Sequence, residues 1–305
     1  MKRYGFLFEQ IVDIENIRQA HYNARKGKSY YKEVKWVNEN EELALKLIQK
    51  RLMNEDFKTS SYTFKTIEDR KKKRVIAKLP YYPDRIVHHA ILQIVEPVLT
   101  KSLIRDTFQS IKGRGIHDCR RRVSKFIEKN KPTHFMKIDL KKYYPNISHE
   151  FLKNKLQTKI KDEKVLNLLF EIIDSYLEKG LPIGSYTSQI LGNFNLSWLD
   201  WKIKHRLKGY FRYCDDMLFL GNKKELEKIK QEILQYNLNL RYYPIVSNFK
   251  ELTFIGYKYS NNKLKLKKNI IRNTYNATKK NIFSFWGWFK PIRNKEIWKD
   301  RYITI

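Results

Sequence analysis

Two adjacent carboxylates stand between two short apolar segments in the C-terminal half of the chain. Phe211–Tyr213 and Met217–Leu220 have the composition of β-strands, and Asp215 and Asp216 lie between them, directly after Cys214. This pattern predicts a β-hairpin with both acids at its tip. Placing two carboxylates beside buried apolar strands costs several kcal/mol unless a cation neutralises them. Mg²⁺ suits this position because it is a hard ion that binds one or two carboxylates together with substrate phosphates.

A third carboxylate ends a different predicted strand. From His134 to Leu140 apolar and polar side chains alternate, and Asp139 stands near the end of the segment, 76 residues before Asp215. If the two strands are neighbours in one sheet, the three acids converge on a site for two metal ions about 3.5–4 Å apart. Such a site activates a 3′-hydroxyl and stabilises a pyrophosphate leaving group, so it indicates nucleotidyl transfer. The alternative is a solvated Asp-Asp turn, which the apolar residues on either side disfavour.

The charge balance indicates a polyanionic partner. The 305 residues include 63 Lys and Arg against 32 Asp and Glu, a formal net charge of +31, and 42% apolar residues favour a folded chain over a disordered one. Because the charge is spread along the chain rather than gathered on one amphipathic helix, nucleic acid is favoured over a membrane surface. Cys119 and Cys214 form neither a disulfide framework nor a metal-spaced pair. Without a long apolar run or a signal peptide, we expect a cytoplasmic protein with no membrane contact.

Hydrophobic periodicity places helices and strands along the chain. The predicted helices are residues 41–53, residues 85–98, a helix through Val165, Leu169, Ile172 and Tyr176 that stops at Lys179-Gly180, residues 187–207 and residues 223–235. The basic run Arg70–Arg74 is expected to form a strand or hairpin tip that leads into a core strand at Val75–Ala77, and residues 253–257 form a further strand. His88 and His89 point about 100° apart on a helix, so we do not expect them to bind one metal ion.

The C-terminal segment combines cations with aromatic rings. Residues 263–301 contain twelve basic, two acidic and seven aromatic residues. This combination is typical of a helical lobe that holds a sugar-phosphate backbone. The alternative, that the rings form the core of a small helical lobe, is compatible with it.

Several motifs, in the right order and spacing, resemble those of reverse transcriptases. Tyr213–Asp216 is similar to their Tyr-x-Asp-Asp box, Asp139 with Tyr144 five positions later resembles their first catalytic motif, and Leu181–Gln189 resembles the motif between the two. Further matches are Thr253–Tyr257 after the palm and, in the fingers, Arg85, His89 and the run Gln109–His117. The resemblance covers nearly the whole chain.

The motif between the two catalytic boxes narrows the resemblance. Most reverse transcriptases have Gln-Gly followed by Ser-Pro there, whereas this chain has Ile183-Gly184 and Ser188-Gln189. This pattern, Thr133–Lys137 and the compact size are similar to the reverse transcriptases of diversity-generating retroelements, in the group II intron-like superfamily. The resemblance implies an error-prone RNA-directed DNA polymerase that copies a template-repeat RNA into cDNA with errors at adenines, in mutagenic retrohoming. The alternatives are a retron-like, group II intron-like or phage-defence reverse transcriptase, and a non-catalytic RNA-binding palm.

The resemblance implies an α+β right-hand polymerase fold with fingers, a palm with an antiparallel sheet, and a short helical thumb. The fingers are expected at residues 1–135, with part of 85–110 contributing to the palm, the palm at 136–262 and the thumb at 263–305. Such an enzyme holds an A-form RNA–DNA hybrid mainly through phosphates and shape. The implied partners are the template-repeat RNA, the RNA–cDNA hybrid, deoxynucleoside triphosphates (dNTPs) and a basic oligomeric protein like the accessory variability determinant (Avd).

The resemblance also assigns roles to individual residues. The expected catalytic metal ligands are Asp139, Asp215 and Asp216, which hold two Mg²⁺ ions, with Mn²⁺ as the substitute, and a backbone oxygen of Ile138 or Leu140 completes the shell. Nucleotide binding is expected at Lys72, Lys73, Arg74, Tyr144, Ile183, Gly184 and Gln189. Template or primer binding is expected at Arg85, Lys112, Gly113, Arg114, Tyr213, Lys279 and Lys280.

Three of the nucleotide-binding residues have specific expected roles. Tyr144 resembles the steric gate whose ring fills the space of a ribose 2′-hydroxyl, and the alternative is an ordinary core aromatic. Ile183 stands where relatives have a Gln amide and offers no hydrogen bond, so less transition-state binding depends on correct pairing and we expect low fidelity. The alternative for Ile183 is a plain core residue. Gly184 is expected to let the backbone approach the nucleotide closely.

Overall fold

The computed structural model describes residues 2–69, 72–236, 238–260, 263–277 and 282–289. The predicted template or primer residues Lys279 and Lys280 lie outside the described residues. The chain divides into two compact units, each made of two separate stretches of sequence. The first unit is Met1–Ile104 with Lys142–Asp200, and the second unit is Arg105–Lys141 with Trp201–Ile305. The assignment of fingers, palm and thumb to stretches of the sequence stays a prediction.

Helices and strands alternate along the described part of the chain. The helices are α1 (Phe8–Val12), α2 (Ile14–Ala24), α3 (Lys32–Glu39), α4 (Glu41–Met53), α5 (Ile86–Thr100), α6 (Ile116–Asn130), α7 (His149–Gln157), α8 (Glu163–Asp174), α9 (Tyr186–Asn195), α10 (Ser197–Arg206), α11 (Lys223–Leu234), α12 (Lys268–Tyr275) and α13 (Ile282–Phe289). The strands are β1 (Thr63–Asp69), β2 (Lys72–Lys78), β3 (Thr107–Phe108), β4 (His134–Leu140), β5 (Tyr210–Tyr213), β6 (Asp216–Gly221), β7 (Leu240–Tyr242), β8 (Thr253–Phe254), β9 (Tyr257–Ser260) and β10 (Lys263–Leu266). Within the described ranges, no helix has the length and apolar composition that a membrane crossing needs.

The first unit is mainly helical, and the periodicity of the sequence correctly predicts α4 and α5. Leu45, Ile48 and Leu52 of α4 are buried, as are Val87 and Ile91 of α5. Their spacing of three and four residues places them on one face of each helix, which turns toward a common core. The same core includes apolar side chains of α1, α2, α7, α8 and α9. Tyr144, one of the predicted nucleotide-binding residues, packs against this core.

A two-stranded hairpin in the first unit contains the basic run. β1 and β2 pair antiparallel from Thr63 opposite Lys78 to Asp69 opposite Lys72. The run that the sequence predicted to form a strand or a hairpin tip therefore continues into β2. The prediction of a core strand at Val75–Ala77 is wrong for Val75, which is exposed on this two-stranded hairpin, whereas Ala77 is buried. Residues 70 and 71, between the two strands, lie outside the described ranges.

A five-stranded sheet with the order β3-β5-β6-β4-β7 forms the centre of the second unit. Its neighbours are antiparallel except for the short β3 and β5, which pair in parallel. The predicted strand ending near Asp139 is confirmed as β4, and the predicted acid-bearing hairpin is confirmed as β5 and β6. Phe135 of β4 and Leu218 and Leu220 of β6 join a core that includes residues of α6, β8 and β9.

Two predicted helices have different ends in the structure. The helix expected to continue through Tyr176 ends at Asp174, because the hydroxyl of Ser175 donates to the carbonyl of Ile172 (2.8 Å) and terminates the last turn. The single helix expected at 187–207 is two helices, α9 and α10. The ammonium group of Lys155 on α7 donates to the carbonyls of Phe194 (2.5 Å) and Asn195 (3.0 Å), so these carbonyls have a partner outside the helix where α9 ends.

The strand expected at residues 253–257 is a tight hairpin instead. β8 and β9 pair antiparallel, and Ile255 and Gly256 form the turn between them. Gly256 has φ +86°, a left-handed conformation that favours glycine. A Cβ atom at this position would lie 2.4 Å from the ring of Trp288, so close packing also requires a glycine.

Candidate active site

The acid pair lies in the turn between β5 and β6. Cys214 has a left-handed backbone, with φ +57°, and its amide donates a 3.3 Å hydrogen bond to the carbonyl of Phe108 on β3. A non-glycine residue in this conformation is strained and persists only where its surroundings hold it. Asp215 follows in the turn, and Asp216 is the first residue of β6. The neighbouring strand therefore helps to fix the conformation that presents the acids.

β4 brings the third acid beside this turn. Asp139 is paired in register with Asp216, which is paired on its other side with Tyr213. Side chains directly opposite each other in an antiparallel pair lie on the same face, with Cβ atoms about 4.5–5.5 Å apart. The expectation that the two acid-bearing strands are neighbours is confirmed, and Asp139 and Asp216 share one face of the sheet. Metal binding by these acids stays a prediction.

Partial loss of surrounding water and mutual repulsion raise the pKa of both hairpin acids. Asp216 is exposed at the start of β6, but nearby protein atoms remove part of its water, the charges of Asp215 and Asp139 add to this effect, and the pKa rises to about 6 in spite of nearby Lys267 and Lys137. Burial also raises the pKa of Asp215, and repulsion from Asp139 contributes. Each ionised carboxylate therefore destabilises the next. A cation bound beside them would relieve this repulsion.

The three carboxylates suit a hard divalent cation in their ligand chemistry and charge. A guanidinium nitrogen of Arg241 lies 3.9 Å from a carboxylate oxygen of Asp139, so the face of the sheet already attracts a positive group. In the described part of the chain, no group of three acidic, histidine or cysteine side chains is arranged so that it could hold a metal ion by itself. An ion held by these acids would take its remaining ligands from substrate phosphates and water, as Mg²⁺ commonly does.

Arg212 is a residue of this site that the sequence reasoning missed. Its side chain is fully buried on β5, and its Nη1 donates a 2.7 Å hydrogen bond to the carbonyl oxygen of Cys214. Burial dominates the pKa of Asp215, and the Arg212 charge acts in the opposite direction to lower it. Arg212 thus supports the turn that presents the acids. An arginine inside the apolar segment directly before the acid pair is the signal that could have identified it.

Four predicted template or primer residues lie on or beside the β3–β5 strand pair. Tyr213 of β5 is half-buried, and burial raises its pKa. Lys112, Gly113 and Arg114 belong to the loop that follows β3, in which the amide of Gln109 donates to the carbonyl of Arg114 (2.9 Å). Lys112 and Gly113 are exposed, and Arg114 is half-buried. The second unit therefore brings this basic loop and Tyr213 to neighbouring strands.

In the first unit, the Ile183-Gly184 loop lies against β2. The amide of Ala77 donates a 3.1 Å hydrogen bond to the carbonyl of Ile183. Gly184 has φ +107°, and a Cβ atom there would lie 2.7 Å from Cγ2 of Ile76. The close approach that this glycine allows in the structure is thus to β2. The predicted approach to a nucleotide remains a prediction.

Tyr144 lies beside α9 in the first unit. Its ring is half-buried, with its centroid 5.4 Å from that of Tyr143. A Cβ atom at Gly192 of α9 would lie 3.1 Å from the Tyr144 ring, and the Tyr143 hydroxyl donates to the carbonyl of Gly192 (2.7 Å). The absence of a side chain at Gly192 therefore allows the Tyr144 ring to lie this close to α9.

The other predicted residues of the first unit differ in exposure. Lys73 and Arg74 are exposed on β2, Gln189 is half-buried on α9, and Arg85 is half-buried just before α5. Of Lys72 the structure describes the backbone, at the start of β2. These residues and Tyr144 belong to the first unit, whereas the three acids belong to the second unit. Their role in nucleotide binding accordingly stays a prediction.

Residues 46–246 match the family described as reverse transcriptase (RNA-dependent DNA polymerase). The matched segment is more than half of the chain and includes the three acids on β4, β5–β6 and their turn. The chain belongs to the reverse transcriptase family. This membership confirms the family that the Tyr-x-Asp-Asp resemblance indicated, and it leaves the subfamily open.

Three relatives illustrate the similarity of this reverse transcriptase to known proteins. It is 33% identical over 87 residues to the COX1/OXI3 intron 2 protein of Saccharomyces cerevisiae. The aligned segment covers 25% of this chain and 10% of that protein. Its fold is similar to apo telomerase from Candida tropicalis, with a TM-score of 0.55 and 16% identity over 70% of this chain and 49% of that chain. It is also similar to telomerase from Candida albicans in complex with the TWJ fragment of telomeric RNA, with a TM-score of 0.52 and 13% identity over 70% and 46% of the two chains.

The similarity to the telomerase structures concerns the fold. Together with the antiparallel sheets, it confirms the predicted α+β right-hand polymerase class. The reverse transcriptase chain spans about a tenth of the yeast protein and about half of the telomerase chains.

Proposed function

We propose that this chain is the RNA-directed DNA polymerase of a diversity-generating retroelement. It copies a template-repeat RNA into cDNA with dNTPs and makes errors at template adenines. This error-prone copying is the polymerase step of mutagenic retrohoming. The polymerase proposal rests on one observation, the register that sets Asp139 opposite Asp216 beside the Asp215 turn in a member of the reverse transcriptase family. The subfamily rests on the resemblance of the Ile183-Gly184 motif.

The three acids are the proposed ligands of two Mg²⁺ ions, with Mn²⁺ as the substitute and a backbone oxygen of Ile138 or Leu140 in the shell. The ions supply activation of the primer 3′-hydroxyl and stabilisation of the pyrophosphate leaving group. The chain supplies the position of the ligands, because β4, β5 and β6 hold the acids on paired strands. Arg212 supports the turn between them through its bond to the Cys214 carbonyl.

Selection of the nucleotide is assigned to residues of the first unit. The basic residues at the start of β2 bind the triphosphate, Tyr144 excludes a 2′-hydroxyl, and Ile183 lowers the dependence on correct pairing. The hydrogen bond between Ala77 and Ile183 supports this grouping, since it joins the Ile183 loop to the strand that bears the basic residues. The full proposed set is Lys72, Lys73, Arg74, Tyr144, Ile183, Gly184 and Gln189.

The nucleic acid is proposed to run over three segments, the fingers (1–135), the palm (136–262) and the thumb (263–305). The net charge of +31 supports a polyanionic partner. The proposed contacts with template or primer are Arg85, Lys112, Gly113, Arg114, Tyr213, Lys279 and Lys280. A basic Avd-like oligomer is the proposed protein partner, and a cytoplasmic location is part of the same proposal.

Primer extension on an RNA template with Mg²⁺ tests the polymerase activity. Asp139→Asn and Asp215→Asn are each expected to slow extension by about 10²-fold or more, because each removes a proposed ligand of the ions that stabilise the reacting groups. The matched control is Asp56→Asn, which changes an exposed acid of the first unit and leaves extension unchanged. Wild-type extension by the two site variants would overturn the proposed site.

Sequencing of the cDNA tests the subfamily. Errors concentrated at template adenines support a diversity-generating retroelement. Errors spread over all four bases would instead support a retron-like, group II intron-like or phage-defence reverse transcriptase. Binding of RNA without any extension would make the chain a non-catalytic RNA-binding palm.

A further inference from the structure

A short stretch of the first unit exposes three large aromatic side chains. Tyr30 is 70% exposed, Tyr31 is 40% exposed and Trp36 is 42% exposed. The rings of Tyr30 and Tyr31 meet edge to face, with centroids 4.7 Å apart, so they form one feature. Clustered exposed apolar surface on a folded protein marks an interaction site more often than scattered apolar residues do. These three exposed rings therefore indicate a binding surface.

Helix α3 holds cations and the tryptophan on its exposed side. Lys32, Lys35 and Trp36 are exposed, while the two valines of this helix are buried. The amide of Lys35 donates to the carbonyl of Tyr31 (3.1 Å), and Lys32 and Trp36 are four residues apart, a spacing that makes side chains neighbours. The Trp36 ring meets the edge of Tyr82, with centroids 5.2 Å apart. The lysines and the rings thus share one surface.

Four lysines of this stretch keep their charges available. In the part of the chain that the structure describes, Lys26, Lys28, Lys32 and Lys35 form no ion pair with a carboxylate. The acid of the same stretch, Glu33, accepts hydrogen bonds from the backbone amides of residues 81 and 82. We name the four lysines with Tyr30, Tyr31 and Trp36 the aromatic–basic surface.

A stacked pair of rings in the same unit lies within electrostatic reach of two of these lysines. The rings of His89 and Tyr186 are stacked, with centroids 4.9 Å apart and planes 28° apart. Burial, and after it the charges of Arg85, Lys28 and Lys26, lower the pKa of His89 to about 4, which places these lysines within electrostatic reach of the stack. Tyr186 begins α9, two residues after Gly184.

We propose that the aromatic–basic surface binds single-stranded RNA. Unpaired bases stack on Tyr30, Tyr31 and Trp36, and the lysines hold the phosphates between them. Proteins that bind single strands combine aromatic platforms with positive charge in this way, whereas a duplex hides the faces of its bases. A protein partner could use the rings, but four lysines without carboxylate partners among the described residues favour a polyanion. The choice of RNA over DNA rests on the proposed function, since an unpaired RNA template precedes the copied part.

Fluorescence anisotropy with labelled homopolymeric RNA, measured on the full chain without Mg²⁺ or dNTPs, tests this surface apart from catalysis. The double variant Tyr30→Ala/Tyr31→Ala is expected to bind about tenfold or more weakly, because each stacked base contributes on that scale. Tyr30→Phe/Tyr31→Phe keeps both rings and is expected to bind like the wild type. The control Leu43→Ala/Leu47→Ala removes two exposed apolar side chains of α4 and leaves binding unchanged.

The lysines are tested by the salt dependence of the same binding. Each replacement among Lys28→Ala, Lys32→Ala and Lys35→Ala is expected to lower the slope of log affinity against log salt by about 0.7, the value for one phosphate of a single strand. These exposed or half-exposed lysines can be changed without touching the core, so they decide the matter if the tyrosine variant fails to fold. Unchanged slopes in all three variants would overturn the proposal.

The remaining outcomes separate the surface from the polymerase. Equal binding of duplex RNA, or wild-type affinity in a folded Tyr30→Ala/Tyr31→Ala variant, would overturn the single-strand surface. Equal or tighter binding of matched single-stranded DNA would overturn the assignment to RNA. If RNA binding depends on the surface while primer extension is absent, the polymerase proposal fails and the surface stands. If extension is intact and the variants bind RNA normally, the surface fails and the polymerase stands.

Discussion

Replacing Arg212 with methionine tests whether this buried side chain supports the turn that presents the acids. The substitution removes a 2.7 Å hydrogen bond to the carbonyl of Cys214. A hydrogen bond from a charged donor contributes about 1.5–3 kcal/mol, and a buried acceptor left without it costs about 1–3 kcal/mol. The two figures are alternative measures of the same broken hydrogen bond, so they are not added. Removing a buried charge is itself favourable and offsets part of this cost. We expect the free energy of unfolding to fall by about 2 kcal/mol.

The same substitution is expected to affect metal use. Without Arg212 the turn loses a contact that fixes its position, and this loss outweighs the removal of a positive charge that repels a cation at Asp215. The Mg²⁺ concentration for half-maximal primer extension should therefore rise several-fold, while the KM for dNTP changes little. Arg212→Lys keeps the charge without the planar group that makes the bond, so its effect on both quantities should be smaller.

Urea unfolding and Mn²⁺ binding followed by electron paramagnetic resonance measure the two effects separately from catalysis. The matched control is Arg206→Met, which removes an exposed arginine of the same unit that pairs with Glu232 at 2.8 Å. Exposed ion pairs contribute about 0–1 kcal/mol, so this control should be nearly as stable as the wild type. Arg212→Met with wild-type stability and wild-type Mn²⁺ affinity would refute the positioning role.

Three further changes test other parts of the molecule. Tyr144→Ala is expected to admit ribonucleotides because it opens the space of a 2′-hydroxyl; competition between ribonucleotides and dNTPs measures this, and unchanged sugar discrimination would contradict it. Ile183→Gln is expected to lower the error rate, where a tenfold change corresponds to about 1.4 kcal/mol, and an unaltered error spectrum in sequenced cDNA would count against the role of Ile183. Burial lowers the pKa of His88 to about 3 from its ordinary 6.5, so the unfolded chain takes up the proton first and stability falls as pH drops below 6.5. The His88→Gln variant lacks this titrating group, so lowering the pH to 5 should reduce its free energy of unfolding by about 2 kcal/mol less than that of the wild type. Urea midpoints at several pH values measure it, and an equal acid loss in the variant would exclude this cause.

Local patterns were sufficient for the elements whose form depends on neighbours in sequence. The alternation from His134 to Leu140 predicted β4, the apolar segments around Asp215-Asp216 predicted the hairpin, and the three-and-four spacing predicted α4 and α5. In each of these elements one face is buried, and the buried residues recur along the sequence with the period of a strand or a helix. The type of element can therefore be predicted from the order of apolar and polar residues. The candidate acids were found for the same reason, because carboxylates interrupt apolar strands.

Contacts from distant parts of the chain decided what local patterns could not predict. Between α9 and α10, the carbonyls of Phe194 and Asn195 accept hydrogen bonds from Lys155 of another helix. The turn at Gly256 packs against the Trp288 ring. The close neighbour of Gly184 is β2, which periodicity could not indicate.

The sequence by itself determined the family, the acid-bearing hairpin and the strand that ends near Asp139. Tertiary structure alone decided that Asp139 lies opposite Asp216 and that Arg212 is buried beneath the Cys214 turn. Strand register is set by the packing of whole faces and by pairing between segments far apart in sequence. No local preference of the residues contains that information, and the proximity of the acids depends on it.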